Sequence, residues 1–144
     1  MRIRTVVGVI LAGVVLFGLI QLIPYGHNHT NPPVSQEVRW DSPQTRALAV
    51  RACFDCHSNE TVWPWYSNIA PISWLIQHDV EDGRGKLNFS EWDKAQSGAS
   101  KVVREIQSGS MPKFYYVPIH PSANLSETER NSLIEGLRGT LGQK

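Results

Sequence analysis

The sequence of 144 residues is short of the features that define several classes of protein. Its two cysteines are too few for a disulfide scaffold. Arg2 and Arg4 account for two of the 14 Lys and Arg residues, so 12 basic and 13 acidic residues remain beyond Tyr25. A balance this close to zero excludes a basic nucleic-acid-binding surface and a highly charged disordered chain. The sequence also has no internal repeat, and its length suits one folded domain.

Charge is absent from residues 5–23, TVVGVILAGVVLFGLIQLI, which are nearly all apolar. As a helix rising about 1.5 Å per residue, this run reaches about 28 Å, close to the thickness of a bilayer core. A cleaved signal peptide is the alternative, but its apolar region is shorter and ends in a small-residue cleavage site. We therefore predict a transmembrane anchor over residues 1–23. Arg2 and Arg4 are expected to keep the N-terminus on the cytoplasmic side of the cytoplasmic (inner) membrane. The rest of the chain is expected on the exported side, periplasmic or extracellular.

An irregular linker is predicted over residues 24–37, because residues 24–33 read PYGHNHTNPP. His27 and His29 lie there without a third metal ligand nearby, and we interpret them as surface residues. The remaining residues, 38–144, are predicted to form an all-α domain. Its expected helices are 43–52, about 71 to Gly83 with Ile72, Leu75, Ile76 and Val80 facing inward, 99–108, and 127 to about 141.

Both cysteines stand in one motif, Cys53-Phe54-Asp55-Cys56-His57, which has the Cys-x-x-Cys-His form of a c-type haem attachment site. In such a site the two thiols add to the vinyl groups of haem as thioethers, and the histidine binds the iron. The motif occurs once. The sequence therefore predicts one covalent haem c, held by Cys53, Cys56 and His57.

Other uses of the cysteine pair remain as alternatives. A thiol oxidoreductase would place the pair near a βαβ pattern, and no strand alternation surrounds it. A structural disulfide would suit an exported chain. A zinc site requires four ligands, and the sequence has no second Cys/His pair of the right spacing.

Met111 is the candidate for the second axial ligand of the iron, because it is the one methionine beyond the initiator. It lies 54 residues after His57 in the loop Gly109-Ser110-Met111-Pro112, where glycine permits a turn and proline stiffens the backbone. A methionine that fills a gap in the core is the structural alternative. His120 is the rival ligand, whereas His78 is expected to lie on a solvated helix face.

Four segments carry a resemblance to a known family: residues 52–75 (ACFDCHSNETVWPWYSNIAPISWL), residues 79–92 (DVEDGRGKLNFSEW), Met111-Pro112 and residues 120–126 (HPSANLS). Over roughly residues 38–137 the chain resembles the bacterial haem-binding-domain family of small c-type cytochromes. The resemblance implies a cytochrome c-like fold, covalent haem at Cys53 and Cys56, His57 as proximal ligand, and Met111 at the family's Met-Pro position. The chain departs from the family in having Met-Pro-Lys where Met-Pro-Pro is usual, and in lacking a tryptophan often found near the family's end.

Together these features predict a membrane-anchored monohaem c-type cytochrome that transfers single electrons on the exported side of the membrane. Its partners would be redox proteins and the bilayer around residues 5–23, with no nucleic acid. One alternative is a haem-containing subunit of a larger membrane complex. The other is a haem gas or redox sensor with a labile distal ligand. No acid–base constellation accompanies the motif, so no enzymatic activity is expected.

Overall fold

The computed structural model describes residues 2–142, so the predicted limits at residues 1 and 144 lie outside the described residues. These residues form two compact units, one of residues 2–30 and 63–79 and the other of residues 31–62 and 80–142. Within the described chain there are helices and turns but no β-strand, apart from one bridge between Gln36 and Glu91. The prediction of a helical fold with one N-terminal apolar helix is confirmed.

The helices differ greatly in length. Four of the shortest are 3-10 helices, at Trp65–Asn68, Ala99–Lys101, Val117–Ile119 and Pro121–Ala123. The α-helices of residues 2–142 are α1 (Arg2–Ile20), α2 (Pro43–Ala52), α3 (Phe54–His57), α4 (Ile72–Lys86), α5 (Val102–Gln107) and α6 (Glu127–Leu141). The predicted helix over residues 99–108 therefore begins as a 3-10 turn and becomes α-helical only at Val102.

Helix α1 is long and apolar enough to cross a membrane, and none of its residues is buried. It begins and ends three residues earlier than the predicted run of 5–23. The helical hydrogen bonds give way to tighter ones at its end, where the N–H groups of Gln21, Leu22 and Ile23 bond to carbonyls three residues back. Because nothing in its own unit covers its apolar sides, α1 has the surface of a helix suited to lipid.

Helices α2 and α6 begin where local sequence signals predict. The Ser42 hydroxyl accepts the N–H of Thr45 at 3.1 Å, and Pro43 occupies the first turn of α2. At α6, Ser126 and Glu129 form both hydrogen bonds of a capping box. Each cap satisfies backbone N–H groups that a helix start leaves without partners.

A glycine allows α2 and α6 to pack closely in the second unit. A Cβ built on Gly136 would lie 2.0 Å from the Thr45 Oγ1 atom, so the two helices meet at the glycine. The sequence suggests only that glycine weakens α6, whereas the structure shows a packing role. The core beneath these helices and α5 includes Leu48, Phe89, Ile106, Leu133 and Leu137.

The predictions for α4 are wrong in two respects. The helix continues past Gly83 to Lys86. Ile72 and Leu75, predicted to face inward, are 47% and 45% exposed, and of the predicted inner face only Val80 is buried. Ser73 is buried instead, because the chain after α1 lies on it: a Cβ on Gly26 would be 2.7 Å from the Ser73 carbonyl carbon. The buried face of α4 is therefore more polar than the face that the apolar periodicity predicts.

The two linker histidines differ. His27 is exposed, as predicted for a surface residue. His29 is half-buried and stacks on Trp63 with ring centroids 4.6 Å apart, and its Nε2 lies 3.0 Å from the Ser67 carbonyl oxygen. The linker is thus attached to the segment around Trp63 within the first unit.

Candidate functional site

The Cys-x-x-Cys-His motif forms one turn of helix at the end of α2. The carbonyl of Ala49 accepts the N–H of Cys53 at 2.8 Å, and the carbonyl of Cys53 accepts the N–H groups of Cys56 at 3.2 Å and His57 at 2.9 Å. Cys53 therefore caps the end of α2 and the start of α3. Both cysteines are thiols with no disulfide between them, and burial raises the pKa of Cys53 to about 12.

The two residues between the cysteines attach the motif on different sides. Phe54 is 3% exposed and packs against Phe89, with ring centroids 5.9 Å apart. Asp55 is half-buried, and its carboxylate accepts the N–H of Val62 at 3.0 Å and the hydroxyl of Tyr116 at 2.5 Å. The motif is thereby attached to the core through Phe54 and to the segment after Met111 through Asp55.

The His57 ring is oriented by the end of α4 and the residue that follows it. Its Nδ1 lies 3.1 Å from the carbonyl oxygen of Gly83 and 2.9 Å from that of Leu87. Two acceptors at Nδ1 require the proton there, so the lone pair is on Nε2. Burial lowers the pKa of His57 from its ordinary value of 6.5, although the two carbonyls act in the opposite direction, so the ring is neutral at pH 7. A neutral imidazole with its second nitrogen oriented by a carbonyl is the form that binds metal ions.

Gly83 makes this approach of α4 to the motif possible. A Cβ built on Gly83 would lie 2.3 Å from the carbonyl oxygen of Cys56, so a larger residue would separate the two elements. Arg84 adds a second attachment by donating from Nε to the carbonyl of Ser58 at 2.8 Å. The sequence prediction missed this role because it ended the helix at Gly83. A glycine inside a helix costs about 1 kcal/mol relative to alanine unless it has a packing reason.

The structure brings Cys53 and Met111 to one cleft of about 150 Å³. Its walls come from the end of α2, from α5 and α6, and from the loop between those two helices. Apolar side chains line most of it, with Arg130 as the charged member. Cys56 and His57 are not among the lining residues. The apolar lining residues besides Met111 are Ala52, Ile106, Pro112, Val117, Ala123, Leu125 and Leu133.

The Met111 loop and His120 are placed differently with respect to this cleft. Gly109 has a φ of +74°, which turns the chain after α5, and the N–H of Met111 bonds to the carbonyl of Glu105 at 3.1 Å. His120 is absent from the cleft lining. Its ring stacks on Tyr116 with centroids 3.8 Å apart, and its Nδ1 lies 3.0 Å from the Tyr116 carbonyl oxygen. His78 is exposed on α4, as predicted.

The comparison with protein families agrees with this chemistry. The family model described as the haem-binding domain matches residues 15–139, which is most of the chain. The chain belongs to the haem-binding domain family. No curated protein and no solved structure matches it.

The residues of this haem-binding chain fit the group in donor type. They offer two thiols, one neutral imidazole with a lone pair at Nε2, one thioether and an apolar cleft. The cleft, at about 150 Å³, is smaller than the roughly 300–1,000 Å³ usual for ligand sites. Arg130 provides a positive charge at the cleft that complements a carboxylate.

Proposed function

We propose that this haem-binding protein is a membrane-anchored monohaem c-type cytochrome that transfers single electrons on the exported side of the cytoplasmic membrane. The observation that carries the proposal is the His57 geometry. The Nδ1 of His57 bonds to two backbone carbonyls, and His57 follows the two cysteines on a single helical turn. This is the arrangement that covalent attachment and axial ligation require of the chain.

In this proposal four side chains would hold the haem. Cys53 and Cys56 would form thioethers, and His57 through Nε2 and Met111 through its sulfur would bind the iron. When bound, haem supplies an iron that accepts and releases one electron. The protein binds and orients the group, and the proposal gives no residue a role in acid–base catalysis.

Two observations favour Met111 over His120 as the distal ligand. Met111 shares its cleft with Cys53, the residue that we expect to be covalently attached. His120 is absent from the cleft lining, and its ring lies stacked on Tyr116. To bind an iron beside Cys53, His120 would have to move into the cleft, whereas Met111 already lines it.

The proposed location rests on α1 and its charges. None of the helix residues is buried, and the helix spans 19 residues, about the number that crosses a bilayer core. Arg2 and Arg4 lie at its N-terminal end, which favours an orientation with that end in the cytoplasm. The folded residues after α1 are then exported, where they meet redox partner proteins or the other subunits of a membrane complex.

The test of covalent attachment is extraction of the purified full-length protein with acidified acetone. Haem bound by thioethers stays with the polypeptide, because these covalent bonds survive the acid that breaks the coordination bonds of the iron. Cys53→Ala and Cys56→Ala each leave one thioether, so each variant is expected to mature poorly while still retaining the haem that it does bind. The matched control is Ser100→Ala, a similar change at an exposed residue outside the motif, which leaves both thiols and His57 in place. Release of all haem from the wild-type protein would overturn the c-type assignment.

A further inference from the structure

Large apolar side chains are exposed in the first unit, close in sequence to a residue that is attached to α1. We define the juxtamembrane patch as Trp65, Ile72 and Leu75, which are 76%, 47% and 45% exposed. Ile72 and Leu75 lie three residues apart on α4 and so share a face of the helix. Three exposed apolar side chains of this size within eleven residues of one segment indicate an interaction surface.

The segment that carries the patch is bound to the chain at the outer end of α1. The Gln21 side chain makes two hydrogen bonds with the backbone of Ala70: its Nε2 donates to the carbonyl at 3.0 Å, and its Oε1 accepts the N–H at 2.9 Å. The same Nε2 donates to the carbonyl of Phe17 at 3.0 Å, inside α1. One amide thus connects the last turn of α1 directly to Ala70, midway between Trp65 and Leu75.

Two further contacts repeat this attachment along the following residues. Gly26 lies so close to Ser73 that a Cβ would be 2.7 Å from the Ser73 carbonyl carbon. His29 stacks on Trp63 and reaches the carbonyl of Ser67. Residues 21–29 therefore hold residues 63–73 at three successive points, all within the first unit.

These attachments limit the distance between Ile72 and the end of the apolar span. Consecutive Cα atoms are 3.8 Å apart, so the Cα of Ile72 is within about 8 Å of that of Ala70, which is bonded to Gln21. The polar interfacial layer of a bilayer is about 5–8 Å thick on each side. Tryptophan is enriched in this layer, because its ring is apolar and its N–H can remain hydrated.

We propose that the juxtamembrane patch inserts into the outer lipid interface of the membrane that α1 spans. The occupant of the exposed apolar face is thus lipid, continuous with the lipid around α1. Docking at a second point would limit rotation of residues 63–79 about the anchor, and this inference rests on the membrane anchoring proposed above.

The experiment uses the full-length protein in phosphatidylcholine vesicles that contain a phospholipid with a diazirine on the acyl chain near the glycerol. Illumination forms a carbene that inserts into neighbouring bonds, and peptide mass spectrometry locates the label. We expect label in α1 and also at Trp65, Ile72 and Leu75. Gln21→Leu removes both bonds to Ala70 while keeping the span apolar, and it should reduce labelling of the patch severalfold relative to α1.

The matched control is Gln107→Leu, the same change at an exposed residue that ends α5, and it should leave the pattern unchanged. Label in α1 without label in the patch overturns the docking and leaves the anchor standing. A chain with no label in α1 overturns the anchor, and the docking with it. The labelling pattern of the wild type by itself decides whether the patch docks on the membrane. The test therefore remains valid even if the Gln21→Leu variant fails to fold.

Discussion

The His57 side and the Met111 side of the candidate site are held by different kinds of contact. On the His57 side, Phe54, Leu87 and Phe89 are between 0% and 4% exposed, and backbone carbonyls bond to the ring. The N–H of Phe89 also bonds to the carbonyl of His57 at 2.8 Å. On the Met111 side, none of residues 107–122 is buried.

Polar contacts attach the Met111 side instead. Tyr116 reaches Asp55, and Arg51 at the end of α2 donates from Nε to the carbonyl of Ser122 at 3.0 Å. Arg51 also pairs with Glu129 of α6. Water competes for such contacts more easily than for contacts in a buried core, so the loop should open at a lower free energy than the His57 side does.

The proposed haem site therefore has a firmly held side at His57 and a more weakly held side at Met111. A carrier and a sensor with a labile ligand would share the firmly held His57 side. They would differ only in how firmly the Met111 loop is held. The comparison can therefore be tested by weakening each side in turn.

The largest effect is expected from Gly83→Ala, which disrupts the firmly held side. The new Cβ would lie 2.3 Å from the Cys56 carbonyl oxygen, so α4 must move away and His57 loses its acceptors. We expect the free energy of unfolding to fall by about 1–3 kcal/mol, with less haem incorporated. Denaturant unfolding in detergent and the yield of haem per polypeptide measure both effects.

Gly85→Ala is the matched control for this change. Gly85 is exposed on the same helix, and a Cβ there would meet nothing within 4 Å. Helix propensity should make that variant equal to the wild type or more stable, by up to about 1 kcal/mol. Equal stability of the two variants would show that the contact between α4 and the motif is unimportant.

The next effect in size is expected from Met111→Ala, which removes the proposed ligand from the Met111 side. A thioether favours ferrous iron, so its loss should lower the potential by on the order of 100 mV, where 59 mV corresponds to a tenfold change for one electron. Carbon monoxide should bind readily to the ferrous variant and slowly to the wild type. Redox titration and stopped-flow absorbance measure these changes.

His120→Ala is the comparison variant, and its spectrum and potential should stay near those of the wild type. If His120→Ala shifts both while Met111→Ala shifts neither, the haem has two histidine ligands. A wild type that binds carbon monoxide as fast as Met111→Ala would instead favour the sensor.

The smallest effect is expected from Tyr116→Phe, which weakens the attachment of the Met111 loop without changing a proposed ligand. Losing the hydrogen bond to Asp55 should destabilise the loop by about 1–2 kcal/mol, because the acceptor is a carboxylate. Hydrogen exchange should then rise in residues 108–122 and stay unchanged around His57. Tyr115→Phe provides the same chemical change one residue away. Faster exchange around His57 would mean that the two sides open together.

Elements with strong local signals were predictable from the sequence. Ser42 and Ser126 start α2 and α6 because each cap depends only on residues within three positions. The inner face of α4 was not predictable, since apolar periodicity favours Ile72 and Leu75 while the structure buries Ser73. Which stripe is buried depends on what packs against it, and there it is the chain around Gly26.

The sequence by itself determined the donor set of the candidate site. Cys53, Cys56 and His57 lie within five positions of the sequence, so one helical turn brings them together. The chemistry is in their side chains, which the sequence names directly. The partners of the His57 ring were decided only by the tertiary structure. They are carbonyl groups of Gly83 and Leu87, 26 and 30 residues further along the chain. A backbone carbonyl is present at every residue, so no side chain reveals in advance which one a distant ring will meet.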